Sequence, residues 1–499
     1  MYMENRIIVF NHYYRLKHDL KRTYLYSKKR IEYLQSKVPV DTLWLTKIHP
    51  IYAMLFSLAS EPIELKEYIA AVADFLEVSS LEAESLVLPF LDRDEPFYSE
   101  YGNVVSQFPR NLIINAENLL DEITLYSPLD FCYQELDMKT ERALFAPQTM
   151  VIMPNNNCTT DCAYCYADRS IHPQQMDFKY VKAIVEECKH LKMMDISITG
   201  GDIFLYRHWK ELLELLNVNG FGGGLLSTKT PLNQDHVDFL KKYSPRLQFS
   251  LDSIDPIVCE KLIGMNPVYL NKVKKTFEIF EHSKFPFKVA TVLTNLNGEV
   301  KYLTELYDFL SNFDTLEEWE IRLASKSLYS KKNFDELNIS KDKMQELNAW
   351  IESIRPISKI KMIWDTSDVE RYFKSSNGSK GFLGARCSAN FSNIMVLPNG
   401  KVTICEQLYW NPYYIIGDLT QQSIVEVWNS PKALKLAFPK REDFRDASPC
   451  KSCKIFEECY AFPNRCIVDV LKGYGLDNKD FPDPRCVNAP RQISVLIPQ

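Results

Sequence analysis

Apolar and polar positions follow two different periods along this chain, and the switches between them mark its organisation. Between residues 149 and about 370, short apolar runs recur at 149–153, 195–199, 224–228, 246–251, 287–293 and 318–323. Each has the length of a buried strand, and amphipathic stretches separate them. In the first such stretch Val181, Ile184, Val185, Cys188 and Leu191 fall on one helical face. Cys188 therefore reads as core packing. Alternating strands and helices predict an α/β region with a parallel sheet and right-handed crossovers.

Earlier in the chain the pattern is shorter and more broken. Residues 6–14 and 21–27, separated by the polar 15–20, read as a hairpin. Helical stretches follow near 49–59, 64–76 and 80–90. Pro50 and Pro62 stand near the first two starts, and Ser79 or Ser80 is placed to cap the third, with Glu82 and Glu84 in its first turn. Residues 97–101 and 104–108 flank Gly102-Asn103 and predict a second hairpin. Residues 121–148, punctuated by Ser127-Pro128 and Ala146-Pro147, read as a connector. Cys132 lies there between Phe131 and Tyr133 and is expected to be buried and inert. Residues 330–380 read as peripheral, with one amphipathic helix near 341–354 and a flexible boundary at 375–379.

A chain of 499 residues is too long for one core, so two or three domains are expected. The net charge of −6 argues against a nucleic-acid partner. Lys28-Lys29-Arg30 reads as a solvated turn. No apolar run approaches the roughly 20 residues of a membrane span, and residues 1–30 mix charges through their apolar positions, unlike a signal peptide. A cytoplasmic protein is expected. Its 13 cysteines then point to metal ligands rather than disulfides. Ten of them fall into two groups, 158–165 and 387–486. Cys132, Cys188 and Cys259 stand apart.

The first group is Cys158-x3-Cys162-x2-Cys165, directly after the first predicted strand. Loops at the C-terminal ends of parallel strands are where α/β proteins build sites. Three thiolates hold three irons of a [4Fe–4S] cube and leave the fourth iron open. Zinc or buried thiols are the bland alternatives, and zinc wants a fourth protein ligand. With Tyr164 before the third cysteine, the motif resembles that of the radical S-adenosylmethionine (SAM) superfamily. The resemblance implies a partial (β/α)6 barrel in which the open iron binds SAM. One electron then cleaves SAM to a 5′-deoxyadenosyl radical. Thr199-Gly200-Gly201-Asp202, after the second strand, resembles the family's Gly-Gly-Glu-Pro element that holds the SAM amino group, with Asp202 for Glu and Ile203 for Pro. Ser250 and Asp252, at the fourth strand's end, are expected to reach the ribose and the sulfonium region. Arg322 is a candidate for SAM's carboxylate or the substrate. Thr294 and Asn295 are further candidates to line the site.

The second group is Cys387-x12-Gly400-x4-Cys405, Cys450-x2-Cys453-x5-Cys459-x6-Cys466, and Cys486. Asn399-Gly400 reads as a hairpin turn between 393–397 and 401–405. Structural zinc is one reading. The pattern also resembles the SPASM extension, which binds auxiliary [4Fe–4S] clusters, although x6 stands where x3 is common. Carried over, one auxiliary cluster takes Cys450, Cys453, Cys459 and Cys486. The other takes Cys387, Cys405 and Cys466, with an iron open to a substrate thiolate. Glu406 is a candidate base. Residues 1–120 resemble the winged-helix domain that binds precursor leaders in peptide maturases, with a DNA-binding winged helix as the competing reading. The expected domains are thus 1–120, the connector 121–148, the radical SAM barrel 149–370 and the SPASM domain 381–499. The implied activity is formation of a Cys thioether in a precursor peptide, with flavodoxin or ferredoxin as electron donor. C–C or C–O crosslinking, epimerisation, and a non-enzymatic iron–sulfur sensor or scaffold are the alternatives.

Overall fold

The computed structural model describes residues 6–28, 36–119, 123–168, 170–244, 246–329, 334–365, 387–486 and 488–493. Lys29 and Arg30 of the basic cluster and the expected boundary at 375–379 lie outside them. The chain divides into two compact units.

The first unit holds residues 1–148 with 186–195 and 220–222. Its strands are β1 (Ile7–Phe10), β2 (Tyr14–His18), β3 (Thr23–Ser27) and β4 (Leu45–Ile48). After helix α1 (Pro50–Ser57) come β5 (Ile63–Glu64), α2 (Leu65–Leu76), α3 (Ser80–Val87), β6 (Phe97–Tyr101), β7 (Val104–Phe108) and β8 (Ile113–Asn115). The expected hairpin of 6–14 with 21–27 is corrected. β3 pairs instead with β2, whose residues include the supposed polar turn, and β1 pairs with β5 and β8 in a separate sheet. The polar residues fit a strand because distant groups satisfy them. Lys17 is fully buried, and its Nζ donates to the Ala146 carbonyl at 3.2 Å. Arg22 and Asp19, both inaccessible, pair at 2.9 Å, and Asp19 accepts from the amides of Leu144 and Phe145.

The three helices form where expected. Ser79 caps α3 through a reciprocal box with Glu82. Gly102 and Asn103 both have positive φ, 55° and 64°, which a two-residue hairpin loop demands. Around α1 an aromatic core packs Phe56 against Phe90 at 5.0 Å and Phe90 against Phe108 at 5.1 Å. Cys132 is exposed, contrary to expectation. The 3-10 turn Pro128–Phe131 buries Phe131 and leaves the next residue facing outward.

The second unit is a mixed α/β body. It begins with β9 (Thr149–Ile152), α4 (Phe178–His190), β10 (Asp195–Ile198), α5 (Trp209–Val218), β11 (Leu226–Thr228), α6 (Gln234–Tyr243) and β12 (Leu247–Ser250). It continues with α7 (Pro256–Ile263), α8 (Pro267–His282), β13 (Phe287–Leu293), α9 (Val300–Leu310), β14 (Leu316–Leu323), α10 (Lys341–Ile354) and β15 (Lys361–Asp365). On α4, Val181, Ile184, Val185 and Cys188 are all buried, as the helical pattern predicts. Strands β11 to β15 form one parallel sheet in sequence order. β15 corrects the reading of 330–380 as peripheral. It pairs with β14 from Glu318↔Lys361 to Arg322↔Asp365.

β9 and β10 belong to another sheet, in the order β10-β9-β16-β17-β18. Here β16 is Asn393–Val396, β17 is Lys401–Thr403 and β18 is Ile415–Asp418. Among the described residues a parallel bridge, Ser197↔Gly223, links the two sheets. β16 runs parallel to β9, Thr149 opposite Asn393 and Ile152 opposite Val396. The cysteine-rich C-terminal region therefore extends the sheet that carries the first cysteine loop. β16 and β17 turn at Asn399-Gly400, where Gly400 takes φ 80°. Helices α11 (Ile424–Trp428), α12 (Pro431–Ala437), α13 (Phe456–Tyr460) and α14 (Ile467–Tyr474) complete the unit. Among the described residues no helix is long and apolar enough to cross a membrane.

Candidate functional site

β9 delivers the chain into the loop that carries Cys158, Cys162 and Cys165. That loop is fixed on two sides. The amides of Asp161 and Ala163 donate to the carbonyls of Ile263 and Leu262 at the end of α7. On the other side, Gly201 N donates to Asn155 O at 3.0 Å and Asp202 N to Asn157 O at 2.6 Å. The glycine pair makes this approach feasible. A Cβ on Gly200 would lie 2.3 Å from Asn155 O, and one on Gly201 would lie 1.8 Å from Asn157 O. Gly200 also has φ 146°, a conformation reserved for glycine.

Between the cysteine loop and the ends of β10, β11 and β12 lies a cavity of about 340 Å³. Cys158, Cys162 and Cys165 form one wall, Thr199 to Ile203 another, and Ser227, Lys229 and Ser250 a third. Of the expected cofactor contacts, Gly200, Gly201, Asp202 and Ser250 line it. Ser250 Oγ lies 3.2 Å from Ser227 Oγ. The Asp202 carboxylate is already engaged. Oδ2 accepts from Thr228 and Thr230 hydroxyls at 2.6 and 2.8 Å and from the amides of Lys229 and Thr230 at 3.1 Å. Oδ1 accepts from Phe204 N. The shorter side chain thus ties the glycine turn to the end of β11.

Tyr164 and Asp252 sit behind the cavity wall rather than in it. Asp252 is buried and accepts from Tyr164 OH at 2.6 Å, Lys229 Nζ at 2.6 Å and Val292 N at 2.9 Å. Burial and the Asp252 charge push the Tyr164 phenol well up. Arg322 lies outside the lining, half-exposed and paired with Glu320 at 2.5 Å. Thr294 is buried on Asn297, and Asn295 accepts from Lys343; neither lines the cavity. Cys188 and Cys259 are buried elsewhere, Cys259 donating to Ser253 O at 3.1 Å.

Sequence reading missed Lys229, Tyr166 and Tyr409, all in the lining. Lys229 directly follows β11, and a lone lysine at a strand's end carries no signal of its own. Tyr409 had no local signal. It comes from the loop after Cys405, brought across by the β9–β16 pairing. Its ring lies 6.5 Å from that of Tyr166 and stacks on Trp410. Tyr329 OH donates to Leu408 O at 2.7 Å and fixes that loop.

Cys387, Cys405, Cys459 and Cys466 line a second, smaller cavity. Cys387 is close enough to both Cys405 and Cys466 to perturb them electrostatically. Cys459 and Cys486 each feel Cys450, and Cys486 also feels Cys453. Cys387 thus neighbours Cys405 and Cys466, Cys450 neighbours Cys459 and Cys486, and Cys459 also faces the cavity of the first three. Burial pushes Cys405 up to about 12 and Cys459 up to about 11. Among the described residues no three His, Cys, Asp or Glu side chains converge on a single ion position. A cube of four irons spreads its thiolates wider than one tetrahedral ion does, so the donor sets fit clusters better than zinc. Glu406, beside Cys405, has its carboxyl raised by burial.

Residues 152–310 match the model of the radical SAM superfamily, and residues 387–454 match SPASM, an iron–sulfur cluster-binding domain. The chain carries a radical SAM region and a SPASM region. It is 20% identical over 286 residues to the antilisterial bacteriocin subtilosin biosynthesis protein AlbA of Bacillus subtilis, covering 56% of this chain and 59% of AlbA. The sporulation killing factor maturation protein SkfB of the same organism is 24% identical over 165 residues, covering 31% of this chain and 38% of SkfB. The radical SAM–SPASM chain thus spans less than two thirds of either relative. In fold it resembles Streptococcus suis SuiB, solved bound to its precursor peptide SuiA. The TM-score is 0.61 at 16% identity, over 96% of this chain and all of SuiB.

Proposed function

We propose that this radical SAM–SPASM protein is a maturase that binds the leader of a ribosomally made precursor peptide and forms a Cys thioether in its core. The observation that carries this reading is the shared cavity wall. The loop of Cys158, Cys162 and Cys165 and the loop after Cys405 contribute side chains to one cavity, so a peptide there lies between two thiol sets. Strands β9 and β10 with the parallel sheet β11–β15 are read as the partial barrel, and the helices and β6–β7 hairpin of the first unit as a winged-helix leader-binding domain. The maturation role of SkfB and the peptide bound to SuiB support a precursor partner.

Cys158, Cys162 and Cys165 would hold the SAM-binding [4Fe–4S] cluster, and the two C-terminal thiol sets would hold auxiliary ones. Bound there, these groups supply a 5′-deoxyadenosyl radical that takes a hydrogen atom from a core carbon, and a sink for the electron released as the carbon–sulfur bond closes. Gly200 and Gly201 present backbone to SAM, and Ser227 and Ser250 present hydroxyls. Tyr166 and Tyr409 wall the cavity against water. Glu406 has no ion-pair partner among the described residues and is the candidate to take the substrate thiol's proton. Hydrogen atom, proton and electron then balance the loss of one C–H and one S–H.

The test is anaerobic. Reconstituted protein, reduced by flavodoxin or dithionite and given SAM, should release 5′-deoxyadenosine. With a Cys-containing precursor it should yield a product lighter by one H2 and resistant to thiol alkylation. Cys158→Ala, Cys162→Ala and Cys165→Ala together should abolish both. Nucleoside release without peptide change across Cys-containing precursors would sink the thioether reading.

A further inference from the structure

Lys229 is the single cation among the described residues lining the main cavity. It is held at every point. Its amide donates to Asp202, its carbonyl accepts from Tyr269 OH at 2.8 Å, and its Nζ donates to Asp252 Oδ2 at 2.6 Å and Ser250 O at 3.2 Å. Its side chain is 13% exposed and that of Asp252 only 2%. The ammonium stands 5.8 Å from the centre of the Tyr164 ring, and Tyr164 lies between Cys162 and Cys165 in sequence and shares the Asp252 carboxylate. The pair is therefore oriented, its positive end in the wall beside the three thiols and its negative end behind that wall.

We propose that the oriented Lys229–Asp252 pair is a positioning device that raises the reduction potential of the cluster held by Cys158, Cys162 and Cys165. This rests on the reading that those thiols hold a [4Fe–4S] cluster. Three thiolates make such a cluster anionic, and one electron from an external donor makes it more so. A fixed ammonium at the wall favours that added charge, and in a low-dielectric site the interaction is strong. Asp252, which accepts from both Lys229 and Tyr164, opposes it. Removing either charge alone should therefore move the potential in opposite directions. A purely structural role predicts no such pair of signs.

The experiment is an anaerobic redox titration of full-length reconstituted protein. It follows the electron paramagnetic resonance signal whose shape changes on adding SAM. Lys229→Met should shift the midpoint to more negative potential, Asp252→Asn to more positive, and Lys229→Arg should stay near the parent. Signals unaffected by SAM should keep their midpoints in all three. If Lys229→Met loses its iron, the positive shift in Asp252→Asn still decides. Unchanged midpoints, or shifts of the same sign, would overturn the proposal. Weaker SAM binding in Lys229→Met at an unchanged midpoint would likewise overturn it, making the lysine a cofactor contact. A SAM-responsive signal that survives replacement of all three cysteines would instead refute the underlying cluster assignment.

Discussion

The Gly201 amide donates to the Asn155 carbonyl across 3.0 Å, and through this contact the glycine turn and the cysteine loop become one surface. Any side chain at residue 201 would run into Asn157. Gly201→Ala should force the loops apart at a cost of about 1–3 kcal/mol, typical of overpacking. Iron bound after reconstitution should fall by about as much as when Cys158, Cys162 and Cys165 are replaced. Full iron content and an unchanged melting temperature would show that the two loops move independently.

Asp202 gathers five donors on one carboxylate. Asp202→Asn replaces an acceptor oxygen with an NH2 group and turns two or more of these bonds into conflicts. A loss of about 1–3 kcal/mol is expected, read as a lower urea midpoint, together with weaker SAM binding by calorimetry. If binding weakens while stability holds, Asp202 contacts SAM directly.

Tyr409 is buried with φ 35°, an uncommon conformation for a bulky residue. Its ring closes the cavity on the side of Cys405. Tyr409→Ala should open that side to water and uncouple the reaction. On the proposed thioether chemistry, 5′-deoxyadenosine release should continue, while crosslinked peptide falls roughly tenfold, about 1.4 kcal/mol. The ratio of the two products by mass spectrometry is the measurement, and proportional loss of both would contradict the role.

Lys17 gives a pH signature in the first unit. Burial lowers its ammonium from 10.5 to about 8, with Asp19 raising and Arg22 lowering it further. Between those values the unfolded chain holds the proton and the folded chain does not. Stability therefore rises as the pH climbs through that window, by about 1.4 kcal/mol for each tenfold fall in proton concentration. The unfolding midpoint of the parent relative to Lys17→Met should increase from about pH 8 to about pH 10. A flat difference would mean that Lys17 stays charged in the fold.

Local signals carried much of the fold. The face of Val181, Ile184, Val185 and Cys188, the Gly102-Asn103 turn and the strand Phe287–Leu293 could all be read from neighbours in sequence. Long-range satisfaction could not. Arg15 and Lys17 look like turn residues until Ala146 and His12 supply partners for a strand. Lys361–Asp365 counts as a strand only because Glu318 to Arg322 lie beside it. The three thiols and two glycines were legible because their spacing is chemical. Lys229 was not, because a lone lysine after a strand has no meaning until Asp252 and Ser250 converge on it.

The parallel pairing of β9 with β16 also fixes an order of events. Thr149 and Asn393 are 244 positions apart, so the strand that carries the first cysteine loop gains this neighbour only after most of the chain has been made. Closing so long a loop is a slow, non-local step. The nascent chain therefore exposes Cys158, Cys162 and Cys165 before their sheet is complete. Metal delivery should follow release from the ribosome, and a truncation ending before Asn393 should collect iron at these thiols poorly, even though all three are present.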